Sequence, residues 1–496
     1  VKRITQCFLW VCLGAALTAP SRGLAGGLYL TDRGTRALGR GGAFVAGTDD
    51  GQSLWYNPAG LSYTGHKQIM VDATLSFFRA TFQRTTNDDF NGPPPKVNAD
   101  AARLPIPTLA LSGDFGLKDW SFGAAVMAPN AVLLSWPQFA GTTADGYPRP
   151  GPTRYSLISM KGSAIANIAL GVAYRGIKGL SLGAGLHVIP ANFRATVYLS
   201  ACDYGVLCQH SEDPDYEAPA TIDLKHTVTA TPIFGAIYEW DIFRFGAAVM
   251  LMYKIGGAAT LNATLPNAPF FGPSDRCMSE QQRETNPECA RIVGNKADIN
   301  LDLPLVARLG AEVRPVKALR VEVGVVYEGW SRQREFRVKP KGVHIDNALG
   351  IDRYDVGPIA MKRQMRDVFS LRVGGEYHLT EASPVVLRTG LILENGAFPN
   401  KTLTPLTLDS RKLMLALGLS YRAREGMWVD FLYSHLFMAD PHVSNSIVYP
   451  QNPLRPPPPA ASPSDPQSNV GQPQPVGNGR YTMEADILGL GVRWNI

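Results

Sequence analysis

The sequence predicts an all-β fold, a closed antiparallel barrel of fourteen membrane-spanning strands with an N-terminal hatch plugging its lumen. Three observations predict it. From about residue 68 onward, runs with period-2 alternation follow one another, greasy on one face and charged on the other. The connections between them alternate short and long without exception. The last nine residues, with Leu488, Leu490, Val492, Trp494 and Ile496 in alternation, suffice for one bilayer crossing.

Composition agrees. Only 18% of the 496 residues are charged, with 49 Gly and 38 Pro, whereas an average soluble domain carries about 25% charge. Mean hydropathy is −0.06, and no stretch beyond the N-terminus offers 18 consecutive apolar residues, which excludes a helical membrane bundle. Alternating strands average apolar and polar residues to this near-zero value.

Residues 1–25 read as a secretory leader of the Sec type: Lys2 and Arg3, a mostly apolar Ile4–Ala19, then Gly23-Leu24-Ala25 ending in a small residue. Removing Lys2, Arg3 and Arg22 lowers the net charge of +6 to about +3. No basic run with interleaved aromatics remains, so nucleic acid is not an expected partner.

The fourteen runs lie near 68–83, 106–116, 119–128, 155–175, 179–200, 222–240, 242–262, 299–314, 318–338, 362–379, 384–395, 410–423, 426–439 and 480–496. In the clearest, Leu305, Ala307, Leu309, Ala311 and Val313 share one parity, and Arg308 and Glu312 take the other. Short turns such as RPVKA and RAREG fit a periplasmic rim, and long loops fit the cell exterior. The longest loop, 440–479, contains PLRPPPPAASPSDPQ, which cannot form sheet and reads as a solvated spacer, with a surface adhesive role as the alternative. Cys202 with Cys208 and Cys277 with Cys289 form two local pairs in long loops, the pattern of two loop disulfides in an exported chain. With no CxxC and a single nearby histidine, His210, neither a metal site nor any other cofactor is expected.

Residues 26–66 do not alternate. Their glycines make a poor independent domain, because Gly loses the most entropy on ordering. A barrel of about fourteen strands has a lumen too wide for wall side chains alone to fill, so this segment is the expected hatch and 67–496 the barrel. Within it, ALGRGGAFVAGTDDGQSLWYNPAGL closely resembles the hatch of the long-chain fatty-acid transporter (FadL) family of outer-membrane proteins, in Gly39-Arg40-Gly41, Asp49-Asp50 and Asn57-Pro58-Ala59. The C-terminal alternation likewise resembles the closing-strand signal of bacterial outer-membrane proteins, with Ile496 where Phe is usual. Without that context Asn-Pro-Ala is an ordinary rigid turn.

The resemblance implies an outer-membrane channel for passive uptake of hydrophobic small molecules, expected to be long-chain fatty acids. Aromatic hydrocarbon uptake or a structural or adhesive barrel are the alternatives. It implies a ligand site above the hatch and a side exit at a kink in the third strand. Pro129 and Asn130 are the kink candidates, with a plain strand end as the alternative. Leu133, Leu134, Trp136 and Phe139 are candidates for a greasy entry groove or for self-packing. Arg308, Arg372 and Arg388 share the non-lipid parity and are candidate cations for an acidic head group, or wall charges paired with one another. Expected partners are the hydrophobic ligand, outer-membrane lipid and lipopolysaccharide, and the barrel assembly machinery. No enzyme is expected. Gly39-Arg40-Gly41 lacks the third glycine of a dinucleotide loop, with Phe44 there instead. Adjacent Ser434 and His435 would point to opposite strand faces, and His442 and Ser444 have no apparent orienting partner.

Overall fold

The computed structural model describes residues 29–30, 32–85, 94–103, 105–128, 130–131, 133–142, 146–201, 212–273, 275–348, 351–380, 383–452 and 474–496. The leader, Pro129, the Cys202 and Cys208 pair and most of the Pro-rich loop lie outside the described residues.

Fourteen staves form the wall: β1 Gln68–Arg84, β2 Pro105–Gly113, β3 Trp120–Met127, β4 Asn167–Ile177, β5 Leu180–Ser200, β6 Glu217–Trp240, and β7 Phe243–Met250 continued by Tyr253–Ala263. There follow β8 Lys296–Leu303 continued by Val306–Val316, β9 Leu319–Glu328 continued by Glu335–Lys341, and β10 Ile359–Lys362 continued by Val368–His378. The last four are β11 Val385–Glu394, β12 Lys412–Arg424, β13 Met427–Met438 and β14 Gly479–Asn495. Each stave pairs antiparallel with the next. β14 pairs back onto β1 from Gln68↔Asn495 to Arg84↔Gly479, so the sheet closes on itself. Pro304, which has no N–H to donate, stands at the break in β8.

Side-chain parity follows the alternation. Leu309, Leu417, Val126 and Leu490 face outward, while Arg308, Glu312, Glu322 and Glu376 are buried inside. At the periplasmic ends Trp120, Tyr238, Trp240, Tyr377, Tyr421 and Trp494 also point outward, an aromatic girdle at the membrane boundary. β5 and β6, of 21 and 24 residues, exceed the roughly 9–11 residues one crossing needs and rise above the bilayer.

One run differs from its expected span. β4 starts at Asn167 instead of residue 155. Tyr155 and Leu157, which supplied the apparent alternation, are buried in apolar clusters on the extracellular side. The long loops there form structure of their own: a three-stranded sheet of Arg291–Val293, His344–Ala348 and Ile351–Asp355, and a helix, Glu280–Thr285. Cys277 and Cys289 are disulfide-bonded beside that helix.

Residues 32–64 fill the barrel. Two short helices, α1 Thr35–Gly39 and α2 Ser53–Tyr56, and a 3₁₀ turn, Pro58–Tyr63, are almost wholly buried. The wall accommodates them with glycines. A side chain at Gly374 or Gly390 would collide with the backbone of Arg40 and Gly41. One at Gly183 would meet Pro58 and Ala59, and one at Gly246 would meet Ala46. Gly390→Ala is therefore expected to destabilise the hatch by about 1–3 kcal/mol, because backbone cannot move aside as a flexible side chain can. Hydrogen exchange of residues 39–47 should speed up in that variant and stay unchanged in Gly324→Ala, where the nearest atom to an added Cβ lies at 3.3 Å.

Candidate functional site

The hatch is fastened to the wall by a buried ionic network. Arg40 Nη2 donates to Glu312 on β8 at 2.8 Å and to Glu322 on β9 at 3.3 Å, and its Nη1 donates to Glu376 on β10 at 3.0 Å. Arg36 reaches Asp50 at 2.9 Å, Glu376 at 3.0 Å and Asp49. Arg320 on β9 bridges Asp49 and Glu376 at 2.8 and 2.7 Å. Glu322 also accepts from the amides of Val45, Ala46 and Gly47 at 2.7, 3.0 and 2.8 Å. Three consecutive N–H groups converging on one carboxylate form an anion nest. Gly41 and Gly42, at φ +60° and +65°, supply the left-handed turn between the Arg40 grip and that nest.

Burial alone would raise the Asp49 carboxyl, but Arg320 and Arg36 outweigh it and hold the group well below the usual carboxylate range. Asp32 shows the opposite balance. Its partner Arg372 does not offset burial, and its carboxyl is raised.

The Asn-Pro-Ala turn is a second fastening. Asn57 Oδ1 accepts from Ala59 N at 3.1 Å, starting the 3₁₀ turn with Pro58 at its first position. Asn57 Nδ2 donates to Val45 O within the hatch at 2.9 Å and to Ala236 O on β6 at 3.1 Å. This one side chain therefore shapes its own turn, ties it to the loop after α1 and pins both to the wall.

Above the hatch lies an apolar cavity of about 320 Å³. Phe78, Leu133, Trp330, Phe336, Met365 and Phe398 contribute to its lining, and Arg33 of the hatch to its floor. Arg363, in the break of β10, also lines it. Its guanidinium lies 5.1 Å from the Phe336 ring centroid, and no carboxylate among the described residues pairs with it.

The same cavity touches both lips of a gap in the wall. Among the described residues, β3 and β4 pair from Tyr174↔Trp120 up to Asn167↔Met127 and no further. Beyond that rung, among the described residues, Ala164–Ile165 pairs only with β5, and Asn130–Ala131 pairs with Tyr29–Leu30 near the N-terminus. Pro105, Ile106 and Ala128 line the cavity from one lip, and Ala164, Ile165 and Asn167 from the other.

The remaining candidates divide. Leu133 lines the cavity. Phe139 is exposed beside a second, outer pocket with Tyr198 and Met278. Leu134 and Trp136 are buried in the extracellular core, where Trp136 Nε1 donates to Pro405 O at 3.2 Å, so these two pack internally and form no open groove. Arg372 pairs with Asp32, and Arg388 with Glu376 and Asp430 at 3.4 and 3.5 Å. Arg308 is buried near the Trp55 and Tyr56 rings, outside the lining of the apolar cavity. Parity placed all three inside. It did not single out Arg363, which falls between strand segments, or the wall carboxylates that grip the hatch.

The comparisons agree with this geometry. Residues 16–455 match the profile of the outer membrane protein transport protein family, OMPP1/FadL/TodX. The chain belongs to this family. Similar solved folds include a Pseudomonas aeruginosa FadL homologue (16% identity, TM-score 0.70) and the P. putida toluene transporter TodX (13%, 0.59). Each similarity covers 94% of this chain and 99% of the other. The Ralstonia pickettii toluene transporter TbuX is similar over the same shares (13%, 0.56). No curated sequence matches the chain. The protein is thus an outer-membrane β-barrel of a Gram-negative bacterium and a transporter of hydrophobic compounds; FadL/TodX proteins are channels, not enzymes.

Proposed function

We propose that the protein takes up long-chain fatty acids passively, by way of the apolar cavity and the gap between β3 and β4. The carrying observation is the pairing of that cavity with Arg363, a cation without a carboxylate partner among the described residues. An alkyl chain gains about 0.8 kcal/mol per methylene buried there, a gain that a water-filled pore does not offer. A carboxylate head group beside Arg363 adds a charge-assisted hydrogen bond where a neutral hydrocarbon finds only an unpaired charge. Release sideways through the gap delivers the solute into the bilayer without a passage through water. On this reading the hatch stays closed while the solute moves, and no energy source is required.

Arg363→Ala is expected to weaken oleate binding and uptake roughly 10- to 100-fold, the loss of one charge-assisted bond, and to leave toluene uptake unchanged. Radiolabelled uptake of both solutes into cells carrying either form measures this. Toluene uptake that falls together with oleate uptake, or toluene alone being carried, assigns the cavity to neutral aromatics and overturns the fatty-acid reading.

A further inference from the structure

The periplasmic mouth of the barrel holds another cavity, of about 710 Å³, walled by the periplasmic ends of β8 to β11, β13 and β14 and by the underside of the hatch. Among the described residues its lining is mostly cationic. Arg36 of the hatch and Arg314, Lys317, Arg320, Arg388 and Arg493 of the wall line it, against two carboxylates, Asp49 and Glu376. His378 lines it as well.

The carboxylates behind this lining are already engaged. Glu312 holds Arg40 and Arg314 at 2.8 and 2.7 Å. Asp430 holds Arg493 and Arg388 at 2.7 and 3.5 Å, and Asp50 holds Arg36. Donors are nevertheless left over. Arg36 Nε and Arg314 Nη2 are buried without a hydrogen-bond acceptor among the described residues, whereas Arg388 Nε faces Glu376 at 3.4 Å. The Arg36 side chain is only 5% exposed. Leaving a buried charged donor unsatisfied costs more than an ordinary hydrogen bond contributes. An arrangement that does so twice around one cavity calls for an acceptor from outside.

We propose that this mouth is a binding site for a phosphoryl group presented from the periplasm, either free inorganic phosphate or the phosphate of a lipid head group. A phosphate brings several acceptor oxygens and more than one negative charge, which matches forked guanidinium donors better than a halide does. Bound there, it joins Arg36 of the hatch to Arg314, Lys317 and Arg320 of the wall and fastens the hatch from below. The site lies across the hatch from the apolar cavity and is independent of which solute that cavity carries.

Trp428 lines the mouth and reports on it. Sodium phosphate titrated into the detergent-solubilised full chain, at constant ionic strength maintained with sodium chloride, should give a saturable change in tryptophan fluorescence that Trp428→Phe removes. Arg314→Ala/Lys317→Ala, the first near the end of β8 and the second on the turn to β9, should raise the half-saturating phosphate concentration at least about tenfold. Folding of each variant is checked by heat-dependent gel mobility. Repeating the titration in phosphatidylglycerol nanodiscs separates the sources. A response abolished there means that a head group already occupies the site, and a response retained there means free phosphate. A response matched by chloride alone, or identical in the double variant, overturns the proposal.

Discussion

Glu376→Gln is expected to turn a closed barrel into one that conducts ions. Glu376 is 2% exposed and faces four guanidinium groups: Arg36 and Arg40 of the hatch, at 3.0 Å each, and Arg320 and Arg388 of the wall, at 2.7 and 3.4 Å. Glutamine keeps the shape and removes the charge that makes this crowding tolerable. Breaking a buried pair from one side costs about 3–5 kcal/mol, since the partner is left charged and unpaired, and here several partners are left at once. The strain falls on the hatch, which is held through short helices and glycine turns, more than on a closed sheet. Single-channel recording in planar bilayers should show a nearly silent wild type and frequent openings in the variant. Glu484→Gln is the control, because Glu484 pairs with Arg79 on the outer face of β14 and touches no hatch residue. If both variants stay silent, Glu376 does not retain the hatch, and Asn57 and the nest on Glu322 become the fastenings to test.

The wall was legible in the sequence because a strand writes its environment on every second residue. Leu309 outside and Arg308 inside follow from parity alone, as does the lumen location of Glu312, Glu322 and Glu376. Their partners were not legible. Arg40 and Glu376 lie 336 residues apart, and no local rule couples them. The hatch itself stood out by resemblance, while the wall glycines that make room for it were silent. A glycine leaves the alternation undisturbed whichever face it occupies, so Gly374 and Gly390 passed as neutral positions. Alternation also misled once, at 155–166, where Tyr155 and Leu157 face an extracellular core and not lipid. Arg363 escaped notice because it falls inside the expected 362–379 run, and the break between Lys362 and Val368 leaves no mark in the alternation.

Ala128→Trp is expected to separate binding from transit. Ala128 sits one residue past the last β3–β4 rung, donates its N–H to Pro107 O at 3.1 Å and lines the apolar cavity at the lip of the gap. A tryptophan there projects into the gap and leaves the cavity walls at Phe336, Phe398 and Arg363 unchanged. If the solute leaves sideways, uptake of radiolabelled oleate into cells should fall at least about tenfold, because narrowing the exit below the width of an alkyl chain adds more than about 1.4 kcal/mol to the transit barrier. Oleate binding to the purified variant should remain. The same substitution distinguishes the two possible exits, since a solute that left through the hatch would pass Ala128 untouched. Unchanged uptake in Ala128→Trp together with raised uptake in Glu376→Gln would assign transport to the hatch and overturn the lateral route. Lost uptake in the first variant, with uptake in the second unchanged despite its new conductance, would place the two pathways in different parts of the barrel: ions through the lumen, solute through the wall.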